Sequence, residues 1–183
     1  MKAFFPFKGG NLNWRMGVNL NWSRGGSLNW REGVSLGWIF QPSTGYFEFH
    51  HNKDKTTTPY FIFLKDEELF SIAGIFDTWE NNNTKELFNT FSLITTPANE
   101  FTAKIHNGGK NSCRMPLILN RQDEEKWLDN NLKEKDVSSM LSTFPENLMD
   151  AYAVFNDFRN KKLNDSSIIE MDREHNLIDF SRN

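Results

Sequence analysis

The sequence is poor in cysteine, in long apolar runs and in net charge, and each shortage excludes a class of protein. One cysteine, Cys113, among 183 residues excludes an internal disulfide and favours a reducing compartment. No run approaches the roughly 18 apolar residues of a membrane-spanning helix. The segment that begins at Met1 has too few apolar residues for the core of a signal peptide. The sequence therefore predicts a cytoplasmic protein without a membrane partner.

The formal net charge is -3, so the overall charge gives no sign of a nucleic-acid-binding protein. Contact with a phosphate backbone would need a local basic patch. Lys104, Lys110, Arg114 and Arg121 could form one, although the same residues could equally be solvated surface charges. The length and the hydrophobic content of 38% are sufficient for one domain with a sizeable core.

Residues 11–38 contain an internal repeat in which a leucine and a tryptophan recur every eight residues. The copies end at Trp14, Trp22, Trp30 and Trp38, with glycines between them. Short strands joined by glycine turns could present a tryptophan face that stacks on a sugar or a base. A tandem duplication in the coding DNA would explain the repeat without any selected function, and the shortness of the unit favours that account.

A polar turn and a short helix are predicted after an apolar strand at residues 91–94. Thr96 would be the N-cap of this helix and Pro97 its first residue. The helix would end at His106, because the following Asn107 and glycines tolerate the left-handed conformation of a C-cap. His106 would then lie at a helix C-terminus, where the helix dipole alone could account for it.

A glutamate stands among aromatic residues in the strand-like run at residues 46–49. Burying Glu48 there is costly unless it is paired or functional. Strict alternation would instead turn Phe47 and Phe49 inward and Glu48 to water. The adjacent His50 and His51 would point to opposite sides of a strand, so we expect no metal site.

The remaining pattern predicts an α+β protein, with strands first and helices inserted later. Strands are predicted at residues 46–49, 60–64, 69–76, 88–94, 115–119 and 152–158. The run 69–76 is apolar throughout, which is typical of a central strand. Short helices are predicted from Asp123, with Trp127 and Leu128 turned inward, and at residues 137–141.

Six blocks occur in an order that resembles one family, the SRAP or SOS response-associated peptidases, which process abasic sites in DNA. The resemblance covers about residues 42–170. It predicts three regions: the tryptophan-rich repeat at 1–38, an SRAP-like domain at 39–170 and a loose charged tail at 171–183. The blocks are Gly45-Tyr-Phe-Glu-Phe49, Pro59-Tyr-Phe-Ile62, Ala73-Gly-Ile-Phe-Asp-Thr-Trp79, Ile94-Thr-Thr-Pro-Ala-Asn-Glu100, Ile105-His-Asn107 and Arg114-Met-Pro-Leu-Ile-Leu119.

This resemblance implies a mixed, mostly antiparallel sheet of open, barrel-like form with short peripheral helices. Family members begin Met-Cys-Gly and carry a further half-domain before the first of these blocks. The sequence begins Met1-Lys2-Ala3. We therefore expect a fold that is incomplete at its N-terminus, with the catalytic cysteine missing or replaced by the repeat.

The family's chemistry assigns roles to four positions. In the family, an N-terminal cysteine joins the open-chain aldehyde of an abasic site in single-stranded DNA and closes a thiazolidine. By resemblance, Glu48 and His106 are the catalytic residues that handle protons, and Thr95 and Arg114 bind DNA, with Arg114 on a phosphate. We expect a cytoplasmic monomer that acts in the DNA damage (SOS) response without metal or cofactor.

Covalent crosslinking is expected to be impaired, because Lys2 stands where the family has its cysteine and Cys113 is the only thiol. Whether the chain is an enzyme therefore stays open. One alternative is a catalytically inactive protein that binds single-stranded DNA through Arg114. The other is a binding module formed by the tryptophan repeat.

Overall fold

The computed structural model describes residues 37–109, 112–129, 131–157, 165–176 and 178. Of the predicted repeat only Gly37 and Trp38 belong to this part of the chain. The other copies lie outside the described residues, as do residues 179–183.

The described chain contains strands that form three antiparallel groups. One sheet has the order β1-β4-β5, with β8 also paired to β4, a second has the order β2-β3-β9, and β6 pairs with β7. The α+β class with mostly antiparallel, open sheets is thus confirmed. The strands are β1 (Gly37–Ser43), β2 (Tyr46–His51), β3 (Thr57–Leu64), β4 (Phe70–Glu80), β5 (Leu87–Leu93), β6 (Thr95–Pro97), β7 (Arg114–Pro116), β8 (Ile118–Leu119) and β9 (Met149–Ala153).

Three short helices lie outside the sheets: α1 (Glu100–Ile105), α2 (Arg121–Trp127) and α3 (Glu134–Met140). Single 3-10 turns occur at Glu146–Leu148 and Ser166–Ile169. Among the described residues, no helix is long and apolar enough to cross a membrane.

The strand β4 is the centre of its sheet, as the apolar character of residues 69–76 predicted. It pairs with β1, β5 and β8, and Ile72 and Ala73 at its centre are fully buried. A strand that is covered on both faces has no need of polar alternation, which explains the sequence pattern.

Two tryptophans fix α2 against this sheet. Trp127 is fully buried, its ring centroid lies 4.8 Å from that of Trp38, and its Nε1 donates to the carbonyl oxygen of Ile39 at 2.9 Å. The predicted inward position of Trp127 is confirmed. The same prediction for Leu128 is wrong: it is the C-cap of α2, past the buried stripe, and 45% exposed.

The helix α1 begins later than the sequence predicted. Thr95–Pro97 pairs with Arg114–Pro116 as a strand, so Thr96 is not the N-cap. Asn99 caps the helix instead, and its side-chain oxygen accepts from the backbone nitrogen of Thr102 at 2.8 Å. Because the backbone of Thr96 and Pro97 is engaged in the pairing with β7, the helix begins after them, and the Asn99 side chain caps it.

The last strand begins earlier than predicted, at Met149, because residues 149–153 alternate between buried and half-buried and pair with β3. After β9, the backbone nitrogen of Val154 still donates to the carbonyl oxygen of Pro59 at 3.0 Å, and Val154 makes an isolated bridge to Met171. In the region named as a loose tail, Asp172 is 6% exposed and its backbone nitrogen donates to Ala153 at 2.8 Å.

Candidate functional site

Glu48 lies in the middle of β2 and is only 2% exposed. It shares a strand face with Tyr46 and stands directly opposite Tyr60 on β3. The alternative in which Glu48 points to water is wrong, because both faces of β2 are covered. Phe47 belongs to a second buried cluster on the other face, so alternation along this strand does not separate core from solvent.

His106 is the C-cap of α1, as its predicted place at a helix end required. Its backbone nitrogen donates to the carbonyl oxygen of Thr102 at 2.8 Å, and its side chain is 13% exposed. The turn after the helix is tied to β2 by Asn107. The Asn107 side chain accepts from the backbone nitrogen of His51 at 2.8 Å and donates to its carbonyl oxygen at 3.1 Å.

A second tie holds the same end of α1. His50 Nδ1 lies 2.9 Å from the carbonyl oxygen of Lys104, which can only accept, so this nitrogen donates. Both ties join the end of the helix to the strand that carries Glu48. They bring two residues 58 positions apart in the sequence to one place.

Glu48 and His106 face each other inside the fold. Glu48 Oε1 and His106 Nδ1 are 3.8 Å apart. The same Nδ1 lies 2.9 Å from the carbonyl oxygen of Arg114. Because a carbonyl oxygen only accepts, Nδ1 carries a hydrogen, and in the neutral ring the lone pair is then on Nε2. The imidazole is thus oriented with Nε2 as its proton acceptor.

The pairing of β6 with β7 explains why the carbonyl oxygen of Arg114 is available to His106. The backbone nitrogen of Ala98 donates to the carbonyl oxygen of Cys113, and that of Leu117 donates to the carbonyl oxygen of Ile94, both at 2.9 Å. Because hydrogen-bonded and non-hydrogen-bonded pairs alternate along an antiparallel ladder, these two contacts fix the kind of every pair between them. The Pro97–Arg114 pair is therefore of the non-hydrogen-bonded kind, and the Arg114 carbonyl points away from β6. It is left to accept from His106.

Burial sets the protonation of the acid. Desolvation raises the pKa of the Glu48 carboxyl, and the positive charge that His106 can carry opposes this rise. The pKa of the Tyr46 hydroxyl is also raised, mainly by burial, so it stays protonated beside the carboxyl. A carboxyl with a raised pKa next to an oriented imidazole is an arrangement suited to proton transfer.

Thr95 and Arg114 are brought together, and they bind each other. Arg114 Nε donates to Thr95 Oγ1 at 2.8 Å, and Nη2 donates to the Thr95 carbonyl oxygen at 2.9 Å. The guanidinium is thereby fixed beside the residue whose carbonyl orients His106. Contact of either residue with DNA stays a prediction.

Of the other cations in the predicted patch, Lys104 lies in the last turn of α1, two residues before His106, whereas Arg121 lies elsewhere. Arg121 starts α2 and pairs with Glu67 at 3.2 Å, and Lys110 lies outside the described residues. In the part of the chain that the structure describes, no group of three or more His, Cys, Asp or Glu side chains could hold a metal ion.

Two contributors to the site were missed by sequence reasoning. The tether formed by Asn107 had a weak signal, since an asparagine directly follows the predicted helix end. The main-chain carbonyl of Arg114 had none, because its availability depends on the pairing of two distant strands.

Residues 29–161 match the sequence model of the family described as SOS response associated peptidase (SRAP). The abasic site processing protein YoqW of Bacillus subtilis is 32% identical over 130 residues, which are 70% of this chain and 55% of that protein. The abasic site processing protein HMCES of Gallus gallus is 37% identical over 90 residues, 39% of this chain and 25% of that protein. The chain thus spans about half the length of the Bacillus relative.

Solved structures share the architecture. A protein from Bacteroides thetaiotaomicron superposes with a TM-score of 0.70 at 42% identity, over 78% of this chain and 60% of that one. A protein from Bordetella bronchiseptica superposes with a TM-score of 0.55 at 21% identity, over 65% of this chain and 55% of that one, which shows a common fold.

Proposed function

Because this chain belongs to the SOS response-associated peptidase family, we propose that it processes abasic sites in single-stranded DNA as part of the DNA damage (SOS) response. The observation that supports this most directly is the 3.8 Å approach of the buried Glu48 carboxyl to the oriented imidazole of His106. The relatives are named abasic site processing proteins, which supports the same lesion.

The proposed chemistry begins with the closed sugar of the abasic site. Its aldehyde is masked as a hemiacetal, and unmasking it needs an acid and a base. Glu48, whose protonated form is favoured by burial, gives a proton to the ring oxygen. His106 takes the hydroxyl proton at Nε2. The bond between C1′ and the ring oxygen breaks, and the carbonyl forms.

An amine of the polypeptide can then add to the aldehyde and lose water to give an imine. A thiazolidine would require a thiol next to a free amine. Cys113 does not meet this requirement, because its nitrogen is a peptide amide that donates to the His106 carbonyl at 3.0 Å. We therefore propose that the 183-residue polypeptide forms a reversible imine and is impaired in stable crosslinking.

The Arg114 guanidinium is proposed to hold a phosphate of the same strand. Two of its five N–H donors serve Thr95, and the others remain for an anion. Thr95 fixes the orientation of the guanidinium, so the two residues would bind DNA as one unit.

The test uses a single-stranded oligonucleotide with one abasic site, incubated with the protein, treated with borohydride and run on a denaturing gel. We expect a trapped band that weakens at least 100-fold in Glu48→Gln and in His106→Ala. The matched control is Glu125→Gln, which removes an exposed carboxylate on α2. Equal trapping in Glu48→Gln and in the unchanged protein would contradict the proposal that Glu48 is part of the active site.

Two further outcomes separate the parts of the proposal. A heat-stable band formed without borohydride would contradict impaired crosslinking. Salt-dependent binding of the oligonucleotide without any trapping would identify an inactive DNA-binding protein instead.

A further inference from the structure

Two buried hydroxyls lie between the same two elements as the catalytic pair, and none of the steps above uses them. Tyr46 precedes Glu48 by two residues on β2, so both side chains leave the strand on one face, about 7 Å apart along it. Thr102 precedes His106 by four residues on α1, which places it on the same side, one turn earlier. The pair of Tyr46 and Thr102 thus repeats the pair of Glu48 and His106 one step back along both elements.

Both hydroxyls are withdrawn from water. The Tyr46 and Thr102 side chains are buried, Thr102 completely. Among the described residues, neither hydroxyl forms a hydrogen bond of normal length. Burial raises the pKa of the Tyr46 hydroxyl, and the nearby Thr102 hydroxyl opposes that rise, so the two groups interact. A buried hydroxyl without a full partner costs free energy, which points to a partner in another protonation state of the site.

Glu48 is the neighbour whose charge changes. Its charge also acts on the Tyr46 hydroxyl, so the two groups lie within electrostatic reach of each other. Once Glu48 has given its proton to the sugar, the buried carboxylate needs hydrogen-bond donors. The main-chain N–H of Phe49 favours the charged form. His106 Nδ1 is 3.8 Å away and donates its hydrogen to the Arg114 carbonyl, so it contributes charge more than a hydrogen bond.

Other titratable and charged groups reach this part of the molecule from the neighbouring elements, and they have partners of their own. The Nδ1 hydrogens of both histidines go to main-chain carbonyls, and the guanidinium is bound to Thr95. The tyrosine opposite Glu48 and the lysine of α1 have further interactions. These groups are Tyr60 from β3, His50 from β2, Lys104 and His106 from α1 and its cap, and Arg114 from β7.

We propose that Tyr46 is a positioning residue for Glu48: its hydroxyl accepts from Thr102 and turns its own hydrogen to the carboxylate once Glu48 has released its proton. Only hydrogen bonds change in this step, and the tyrosine stays neutral. The two hydroxyls therefore stabilise the acid after it has acted. The inference rests on the proposed function, because it takes Glu48 to be the proton donor.

The test follows the Glu48 carboxyl by ¹³C NMR in the 183-residue protein, labelled at its glutamate carboxyl carbons, as the pH is varied. The Glu48 signal is the one missing from Glu48→Gln. In Tyr46→Phe the ionised carboxyl loses a donor, so its titration midpoint should rise by about one pH unit, since a hydrogen bond to a charged group is worth roughly one to two such units.

Tyr152→Phe is the matched control. It makes the same change on β9, where the hydroxyl donates to the carbonyl oxygen of Ile169 at 2.8 Å, and it should leave the Glu48 midpoint unchanged. A midpoint that stays or falls in Tyr46→Phe, or that moves as far in Tyr152→Phe, overturns the proposal.

Two variants of Thr102 test the same contact from the helix, and they decide the question if Tyr46→Phe fails to fold. Thr102→Val removes the donor to the Tyr46 oxygen and should raise the Glu48 midpoint, because a hydroxyl that no longer accepts is a weaker donor. Thr102→Ser keeps the hydroxyl and should leave the midpoint in place. Equal midpoints in these two variants contradict the proposal.

Borohydride trapping on an abasic oligonucleotide is measured over the same pH range for the unchanged protein and for Tyr46→Phe. Its high-pH limb reports loss of the protonated acid, so we expect the limb to move upward with the NMR midpoint. An NMR shift without movement of this limb would remove Tyr46 from the reaction. Absence of trapping in the unchanged protein would contradict the proposed function, whereas the NMR titration still decides whether the hydroxyls act on Glu48.

Discussion

Replacing Glu48 by glutamine should stabilise the protein at neutral pH while it removes the activity. The carboxylate is 2% exposed, and among the described residues the ion pair open to it is with His106, whose Nδ1 lies 3.8 Å away. At an effective dielectric constant of 20, an ion pair at that distance gains about 4 kcal/mol. Removing an ion from water costs several kcal/mol for each partner, which is the larger effect. The raised pKa of Glu48 likewise indicates that the fold disfavours the charged form of the carboxyl.

The pH dependence follows from that direction. A raised carboxyl pKa means that the folded state binds the proton more tightly than the unfolded chain, where glutamate titrates near pH 4.3. The ionised carboxylate therefore costs stability as the pH rises above about 4.3, and glutamine avoids that cost. We expect Glu48→Gln to increase the free energy of unfolding by about 1 kcal/mol at pH 7, and by close to zero at pH 4.

Urea denaturation of both proteins at pH 4 and pH 7 measures this difference, and Glu125→Gln again serves as the exposed control. A Glu48→Gln protein that is less stable at pH 7 but not at pH 4 would refute the reasoning. It would mean that the fold favours the charged carboxylate, and the carboxyl would then be a poor proton donor near neutrality.

Three further predictions concern the scaffold. Trp127→Ala should cost about 3–5 kcal/mol of unfolding free energy, because the fully buried indole packs on Trp38; a loss under 1 kcal/mol in urea denaturation would contradict this packing. Asn99→Ala should cost about 1 kcal/mol by removing the N-cap of α1, and hydrogen exchange should show faster opening of that helix; unchanged exchange there would show that the cap is dispensable. Thr95→Val should cost about 1.5 kcal/mol because it removes the hydroxyl bound to Arg114 Nε, and Thr95→Ser, which keeps that hydroxyl, should cost less than half as much; equal losses in thermal unfolding would show that the methyl group matters as much as the hydroxyl and would contradict this reasoning.

The sequence was most informative where one element decides the outcome. The apolar run of β4 predicted a central strand, and the aromatic run of β2 predicted a strand. The place of His106 at a helix end was visible in the asparagine and glycines that follow it. These features depend on neighbours in the sequence, and local propensity is enough to specify them.

Prediction failed where two distant segments compete for the same backbone. Thr96 and Pro97 form a good helix start, but their pairing with β7 makes them a strand. Leu128 follows Trp127 in an apolar pair, yet it falls on the exposed side because α2 ends there. For Thr96 and Pro97 the tertiary contact is stronger than the local preference.

By itself, the sequence determined the residue types of the site, the family they resemble and the two elements that carry Glu48 and His106. Only the tertiary structure decided that Glu48 is buried rather than solvated, because this depends on the cluster with Tyr46 and Tyr60 that covers its own face of β2. It alone decided which nitrogen of His106 carries the hydrogen, because the acceptor is a main-chain carbonyl exposed by the pairing of β6 with β7. The physical reason is that burial and hydrogen-bond direction depend on what surrounds a residue in space, and these surroundings come from distant parts of the chain.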